Sequence, residues 1–482
     1  MKLRPAMKSI YIDGFHSTTE VVVSGIQFHS GKVIEGELFV AVSGMNSDGH
    51  DFIQQAIEAG AVAVVGEKDI SDLPIPYFRV ANSRKTLALL ACQYYEYPSK
   101  RHTMIGITGT NGKTTTAFLL RHIIETFGIT CSLIGTVTNH INGSDIPSLQ
   151  TTPDALQLQK WLSESKDQVI IMEVSSHGID QDRVFGTEYD FVLFTNLTHD
   201  HLDYHASLVN YYLTKERLFD QLKPNGEAIT TSRGKWGMRL IDHLITQNKT
   251  VHSFGDSMED KLGVTPHQSG SFQDFKVREG SDFFDVKMPL PGTYNAWNVA
   301  AAWLTARRMG IETAIIRQAL DFFPGVSGRF EVFPHPSGAQ FIIDYAHTPD
   351  GFEQFLKTLH ERRQNRLIHI FGFRGNGDPS KRRFMLKTSL LWSDEIILTM
   401  DNLGGVCRES MLLELQKLVK QSGEKKCMII DDRTKAIEYA WQMAGKGDQI
   451  AITGKGREIY DQSFALPGMT DPDTLHYLLH KY

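Results

Sequence analysis

Gly106-Ile-Thr-Gly-Thr-Asn-Gly-Lys-Thr114 lies between the apolar run Met104-Ile-Gly-Ile-Thr108 and a stretch with helical spacing that opens at Thr114. A buried strand, a glycine-rich turn and a helix N-terminus in that order make an anion site. The glycines let backbone N–H groups approach phosphates, and the helix dipole favours negative charge. In such a turn Lys113 reaches the β- and γ-phosphates, and Thr114 offers its hydroxyl to Mg²⁺. A strict phosphate loop has glycine five residues before Gly112, where this chain has Ile107; Gly106 and Gly109 stand nearby instead. A tight turn that binds nothing would not need Gly-Lys-Thr at its exit. The turn alone names no reaction, because kinases, GTPases, motors and ligases all use one.

Two further apolar runs follow, Val169-Ile-Ile-Met172 and Phe191-Val-Leu-Phe194. Strand, helix and strand at this spacing predict a parallel sheet with crossover helices. Before the turn, Gly36–Val42, Phe52–Ala59 and Ala61–Val65 read as strand, helix and strand of a small α/β unit, ending in the linker Tyr97–Arg101. After it, the strands Phe341–Ile343, Leu367–Ile370, Glu395–Leu398, Cys427–Ile430 and Gln449–Ile452 alternate with helical segments, as in a Rossmann-like doubly wound domain. Pro324–Gly328 is the natural hinge. The expected fold is α/β in three domains: 1–98, 99–328 and 329–482. The stretch Gly255–Met288 is polar and irregular, with short alternating pieces, and is assigned to no element.

At 482 residues the chain exceeds one core, since single cores stop growing near roughly 250–300 residues. Lys and Arg total 50 against 56 acids, a net charge of −6. That lacks the basic surplus of a nucleic-acid binder. Cys92, Cys131, Cys407 and Cys427 form no CxxC pair, which predicts four buried thiols rather than a disulfide frame or zinc knuckle. Lys2, Arg4 and Lys8 are not followed by an apolar h-region, and no run approaches the ~20 apolar residues of a membrane span. A cytoplasmic protein with no membrane partner is expected.

Downstream, Glu173 ends an apolar strand, at the strand end where ligands border a parallel sheet, and is a candidate Mg²⁺ ligand. Asn196-Leu-Thr-His-Asp-His-Leu-Asp-Tyr-His205 packs three histidines and two aspartates after the next strand. They could form a zinc site or a polar loop beside phosphates. Lys215, in an apparent helix over 210–221, reads in isolation as a solvated surface lysine.

Seven motifs in order carry a resemblance: 109–115 (Gly-Thr-Asn-Gly-Lys-Thr-Thr), 151–153 (Thr-Thr-Pro), 173–177 (Glu-Val-Ser-Ser-His), 196–205, 292–298 (Gly-Thr-Tyr-Asn-Ala-Trp-Asn), 328–331 (Gly-Arg-Phe-Glu) and 344–350 (Asp-Tyr-Ala-His-Thr-Pro-Asp). Together the chain resembles the Mur ligases, and within them the tripeptide synthetases that add the third peptidoglycan stem residue. The resemblance implies an ATP-dependent amide ligase that joins an amino acid to a UDP-N-acetylmuramoyl-dipeptide through an acyl phosphate. It implies ATP held by Gly109, Thr110, Asn111, Gly112, Lys113, Thr114 and Thr115, with Asn295, Asn298, Arg329, Asp344 and His347 around base and ribose. It implies two Mg²⁺ sites served by Thr114, Glu173, His201 and Lys215, the last carbamylated by CO₂. Lys113, His201 and Lys215 would carry the chemistry. Ser30, Thr151, Thr152, Ser175, Gln181 and Arg183 would hold the nucleotide-sugar peptide, and Asp401, Asn402, Gly454 and Glu458 the incoming amino acid. Small-molecule partners and a monomer are expected.

Four departures fall in specificity regions. His29-Ser-Gly31 replaces the family's Asp-Ser-Arg, and Arg457 stands for the usual histidine. Gly372-Phe-Arg-Gly-Asn-Gly-Asp378 replaces Gly-Cys-Gly-Gly-Asp-Arg-Asp. Gly404 stands for the arginine that clamps the distal carboxylate of diaminopimelate. Loss of that bidentate pair predicts that diaminopimelate is a poor substrate. Two alternatives stay open: a Mur-fold ligase for another carboxylate outside peptidoglycan synthesis, and a nucleotide-binding protein without ligase activity.

Overall fold

The computed structural model describes residues 1–2, 21–44, 47–269, 272–288, 290–422 and 426–482. The reading that no leader precedes the first strand rests largely on residues outside these. The chain resolves into two compact units. One comprises Met1–Thr108, Gly128–Leu193 and Thr214–Ala228; the other comprises Gly109–Phe127, Phe194–Leu213 and Ile229–Tyr482.

The first unit begins with a parallel sheet in the order β1 (Ile26–Gln27), β2 (Leu38–Val40), β3 (Ala63–Gly66), β4 (Tyr77–Arg79). Leu38, Phe39 and Val40 are all buried, as a parallel strand covered on both faces requires. The helix expected over 52–59 forms at Ile53–Glu58, and a longer one, Ser83–Tyr94, starts where Asn82 caps the N–H of Lys85. A second sheet contains β5 (Thr103–Thr108), β6 (Cys131–Ile134), β7 (Thr138–Ile141), β8 (Ser144–Pro147), β9 (Val169–Glu173), β10 (Tyr189–Phe194) and β11 (Leu222–Thr231). Here β9 lies parallel between β5 and β6, while β7 and β8 add an antiparallel edge. The register places Glu173 opposite Ile107, two residues before Gly109.

In the second unit the helix after the phosphate turn, Lys113–Thr126, packs against the alanine-rich helix Thr293–Arg308. The stretch assigned to no element forms β12 (Thr250–Gly255) and a long antiparallel meander, β13 (Leu262–Ser269), β14 (Phe272–Glu279) and β15 (Asp282–Met288). Its alternation explains the difference. Phe275 and Val277 are buried, while Lys276 and Arg278 between and beside them face away, so composition looks polar although period two is kept.

The last sheet has the order β16 (Glu331–Pro334), β17 (Gln340–Asp344), β21 (Gln449–Thr453), β18 (Leu367–Phe371), β19 (Glu395–Leu398), β20 (Cys427–Ile429). Only β16 runs antiparallel, at the edge. Phe352, Phe355, Met385, Met411 and Leu415 pack on one face; Ala436, Ile437, Trp441, Leu475 and Leu478 pack on the other. This is the doubly wound arrangement anticipated from the strand spacing. Among the cysteines, Cys92 and Cys131 are buried, but Cys407 is exposed and Cys427 half-buried, which corrects the expectation of four buried thiols. Cys407 sits in a loop and Cys427 opens the edge strand β20, where packing is incomplete. Among the described residues no helix is long and apolar enough to cross a membrane.

His369, in the middle of β18, is fully buried between Ser389 Oγ and Thr453 Oγ1, each 2.8 Å away. Burial, with the Arg433 charge adding to it, pushes its pKa from 6.5 down to about 3. Below pH 6.5 the unfolded chain takes up this proton and the folded one does not. Stability from this group is therefore complete above pH 6.5 and lost as pH falls toward 3, by roughly 1.4 kcal/mol per unit. Urea unfolding at pH 7 and pH 5 should show a larger loss for the native protein than for His369→Gln. Equal losses would contradict this.

Candidate active site

The phosphate turn depends on two glycines. Gly109 has φ +148° and Gly112 has φ +87°. A Cβ on Gly109 would fall 1.9 Å from Thr195 Oγ1, and one on Gly112 would fall 2.3 Å from Asn298 Oδ1. The turn is clamped from the segment after β10. Asn196 Nδ2 and Thr195 Oγ1 donate to the Asn111 carbonyl at 3.0 and 2.7 Å, and the Asn111 N–H donates to Asn196 Oδ1 at 2.9 Å. The Thr198 N–H donates to Thr110 Oγ1 at 3.0 Å, and that hydroxyl donates to Tyr211 at 3.3 Å. Lys113 Nζ folds over the turn and donates to the carbonyls of Gly109 and Thr110, 2.9 Å each. Thr114 and Thr115 are buried in the first helical turn.

Of the expected base and ribose residues, Arg329 and Asn298 adjoin this turn. Arg329 Nη2 donates to Thr114 Oγ1 at 3.0 Å, and its guanidinium lies 4.3 Å over the Tyr345 ring. Asn298 Nδ2 donates to Asn295 Oδ1 at 2.9 Å. Asp344, at the end of β17, accepts from the N–H groups of Phe330 and Ala346 at 2.9 and 2.7 Å. Burial raises its pKa, with Arg329 opposing.

Asp200 is a hub that the sequence motif contained without revealing. It accepts from Lys381 Nζ at 2.8 Å and lies 3.3 Å from His201 Nε2 and 3.6 Å from His347 Nε2. Burial alone would raise its pKa, but His347, His201 and Lys381 outweigh it and hold the carboxyl well below its ordinary range. His201 itself has φ +53°, a conformation that non-glycine residues seldom adopt. Such strain at a polar cluster is a mark of function. Asp350, also missed, accepts from Asn111 Nδ2 at 2.8 Å. Its only signal was its place at the end of the 344–350 motif. His199 leaves the histidine cluster for Asp378 and Ser380, and no metal-binding group of three His, Cys, Asp or Glu occurs among the described residues.

In the first unit Glu173, Thr151, Thr152, Ser175, Gln181 and Arg183 share one network. Glu173 is fully buried and accepts from Thr136 N and Oγ1 at 2.9 and 3.0 Å. Thr136 Oγ1 lies 3.1 Å from Thr151 Oγ1. Thr152 Oγ1 donates to the Glu173 carbonyl at 3.0 Å and accepts the Ser175 N–H at 2.9 Å. Arg183 Nη1 donates to Thr152 O at 2.7 Å and Arg183 Nη2 to Gln181 Oε1 at 2.7 Å. Ser30 lies apart from it, in a short 3-10 helix after β1, and donates to Gln55 Oε1 at 2.8 Å. Lys215 is 1% exposed, in the helix Leu208–Glu216, which overturns the isolated reading of a solvated lysine.

Three family models match in succession: "Mur ligase family, catalytic domain" over 22–95, "Mur ligase middle domain" over 107–306, and "Mur ligase, glutamate ligase domain" over 328–456. The chain is 36% identical over 471 residues to the UDP-N-acetylmuramoyl-L-alanyl-D-glutamate–2,6-diaminopimelate ligase of Parabacteroides distasonis, covering 96% of this chain and 95% of the relative. The chain is a Mur ligase.

It is 34% identical over 477 residues to ligase 1 of the same name from Clostridium acetobutylicum, with 95% of each chain covered. A solved diaminopimelate ligase of that name superposes with a TM-score of 0.66 at 27% identity, covering 100% of this Mur ligase and 99% of the other chain. MurF from Thermotoga maritima, solved with ADP, shares the fold at a TM-score of 0.65 and 21% identity, covering 90% and 95%. The three-domain α/β fold and ATP-dependent amide ligation follow from this membership.

The relatives' names correct one expectation. Gly404 predicts that diaminopimelate is a poor substrate, yet the relatives that match nearly end to end are diaminopimelate ligases. One loop alone does not decide this specificity. Gly404 has φ +54°, and a Cβ there would lie 2.5 Å from Asn376 Cγ, so a side chain at that place would be strained and would have to displace Asn376. The same pocket carries other cations. Lys455 Nζ donates to Asn402 Oδ1 and lies 3.4 Å from Asp401 Oδ1. Arg374 Nη2 donates to Glu458 Oε2 at 2.5 Å and to the Gly454 carbonyl at 3.3 Å. Burial raises the Asp401 pKa, but Lys455, Arg374 and Arg433 prevail and keep it below the usual range. Asp401, Asn402, Gly454 and Glu458 are thus brought together as expected of one pocket; Arg374 and Lys455 were not anticipated.

Proposed function

We propose that this Mur ligase joins diaminopimelate to UDP-N-acetylmuramoyl-L-alanyl-D-glutamate in the cytoplasm, as a monomer. The relatives at 34–36% identity over nearly the whole chain carry the reading. Residues 1–98 would hold the nucleotide sugar through Ser30, 99–328 would bind ATP, and 329–482 would present the amino acid.

A carboxylate resists attack by an amine because its oxygen cannot leave. Phosphorylation by ATP gives an acyl phosphate whose phosphate leaves readily. The amine then attacks, and a tetrahedral intermediate collapses to amide and phosphate. Positioning and neutralisation of charge dominate such a phosphoryl step. Lys113 and the N–H groups of the turn neutralise the nucleotide phosphates. Thr151, Thr152, Ser175, Gln181 and Arg183 orient the peptide carboxylate, while Asn295, Asn298, Arg329, Asp344 and His347 enclose base and ribose. The Thr114 hydroxyl and the buried Glu173 carboxylate are each oxygen donors of the kind magnesium takes. Thr114, Glu173, His201 and Lys215 would hold Mg²⁺, which supplies Lewis-acid stabilisation of phosphoryl charge. Carbamylation of Lys215 by CO₂ would turn a buried amine into an anionic oxygen ligand.

With ATP and Mg²⁺, phosphate release is expected only when the UDP-dipeptide and diaminopimelate are both present, with the amide found by mass spectrometry. Release that ignores the UDP-dipeptide would place the enzyme on another carboxylate. An absent amide product with every acceptor would reduce it to nucleotide binding.

A further inference from the structure

We propose that Arg374 is the specificity residue that receives the distal carboxylate of the incoming diamino diacid, in place of a side chain at Gly404. This rests on the diaminopimelate reading above. Arg374 follows β18 in the segment Gly372–Asp378, where the family pattern has a glycine. That segment is bonded to the loop carrying Gly404: the Gly375 N–H donates to the Asn402 carbonyl at 2.9 Å. The cation therefore moves from one loop of the pocket to the loop beside it.

The guanidinium is held on one side and keeps unused donor capacity. Nη2 is held by Glu458 at 2.5 Å and by the Gly454 carbonyl at 3.3 Å, with the Tyr345 hydroxyl at 3.4 Å. Nε is buried and has no hydrogen-bond partner. The guanidinium carbon lies 5.6 Å from the centre of the Tyr345 ring. Glu458 also accepts from the Tyr345 hydroxyl at 2.7 Å. An amino acid whose far end bears both an ammonium and a carboxylate matches this pair charge for charge. Its carboxylate meets Arg374, and its ammonium meets Glu458. A planar fork grips a carboxylate at two points, which an ammonium does not. L-Lysine has no far carboxylate to set against the guanidinium, which then keeps Glu458 as its anionic partner.

The test measures the KM for meso-diaminopimelate in the native enzyme, Arg374→Met and Arg374→Lys, with the KM values for ATP and the UDP-dipeptide as evidence that each variant is folded. We expect a rise in diaminopimelate KM on the order of 30-fold or more for Arg374→Met and a smaller rise for Arg374→Lys, with the other two KM values within about 2-fold. An unchanged diaminopimelate KM in Arg374→Met would overturn the assignment and leave the proposed function standing. A native enzyme that fails to use diaminopimelate would overturn both, and the native measurement alone reveals that case. Should Arg374→Met not fold, Arg374→Lys decides: an unchanged KM there, with the fork gone, contradicts the proposal.

Discussion

Replacing Lys113 by methionine is expected to lower the rate of phosphate release by about 10²–10³-fold, as loss of one preorganised charge at a phosphoryl centre does. The ammonium bonds the Gly109 and Thr110 carbonyls, but other contacts also hold the turn. Gly109 and Gly112 set the backbone, and Asn196 and Thr195 clamp Asn111 from outside. Methionine keeps the length of the side chain and removes the charge, so the helix Lys113–Thr126 should form as before. The loss should fall mainly on kcat, because charge develops during transfer. A melting temperature unchanged within a few degrees would show that the scaffold survives. Retention of native kcat would exclude Lys113 from phosphoryl transfer.

The second large effect is expected at Lys215. Lys215→Ala should abolish measurable turnover, by about 10³-fold or more, since a metal ligand supplies several kcal/mol of charge stabilisation and each 1.36 kcal/mol is tenfold. The motivating observation is a lysine that is 1% exposed in a chain whose lysines mostly face water. Carbamylation would change the sign of the charge at this buried position. A readout independent of turnover is available. Native protein equilibrated with ¹³C-bicarbonate should show a carbamate carbon resonance that Lys215→Ala lacks. The same signal in both proteins, or native activity in the alanine variant, would remove Lys215 from the mechanism.

Much of this was legible before any coordinates. The strand–turn–helix at 103–126 and the five parallel strands of the last sheet are long apolar runs with clear punctuation, where local pattern and tertiary burial agree. Glu173 was found because a charge at the end of an apolar run is conspicuous. Asp200 and Asp350 were not singled out, because an aspartate in a polar loop looks alike whether it faces water or a lysine. What makes Asp200 a hub is Lys381, 181 residues away. The meander at 262–288 hid for the opposite reason: its buried face shows only every second residue. The acceptor pocket gave the instructive error. Sequence registered a missing arginine at 404, whereas φ at 404, the crowding by Asn376 and the neighbouring Arg374 are properties of the folded loops.

The central claim is that the terminal phosphoryl group of ATP passes to the peptide carboxylate. It is tested most directly by preparing the UDP-dipeptide with ¹⁸O in its reacting carboxylate and analysing the released phosphate by mass spectrometry after one round of ligation. One ¹⁸O atom should appear in each phosphate, because the oxygen that bridges carbon and phosphorus leaves with phosphorus. Phosphate free of ¹⁸O, alongside labelled amide product, would contradict an acyl phosphate and with it the mechanism set out here.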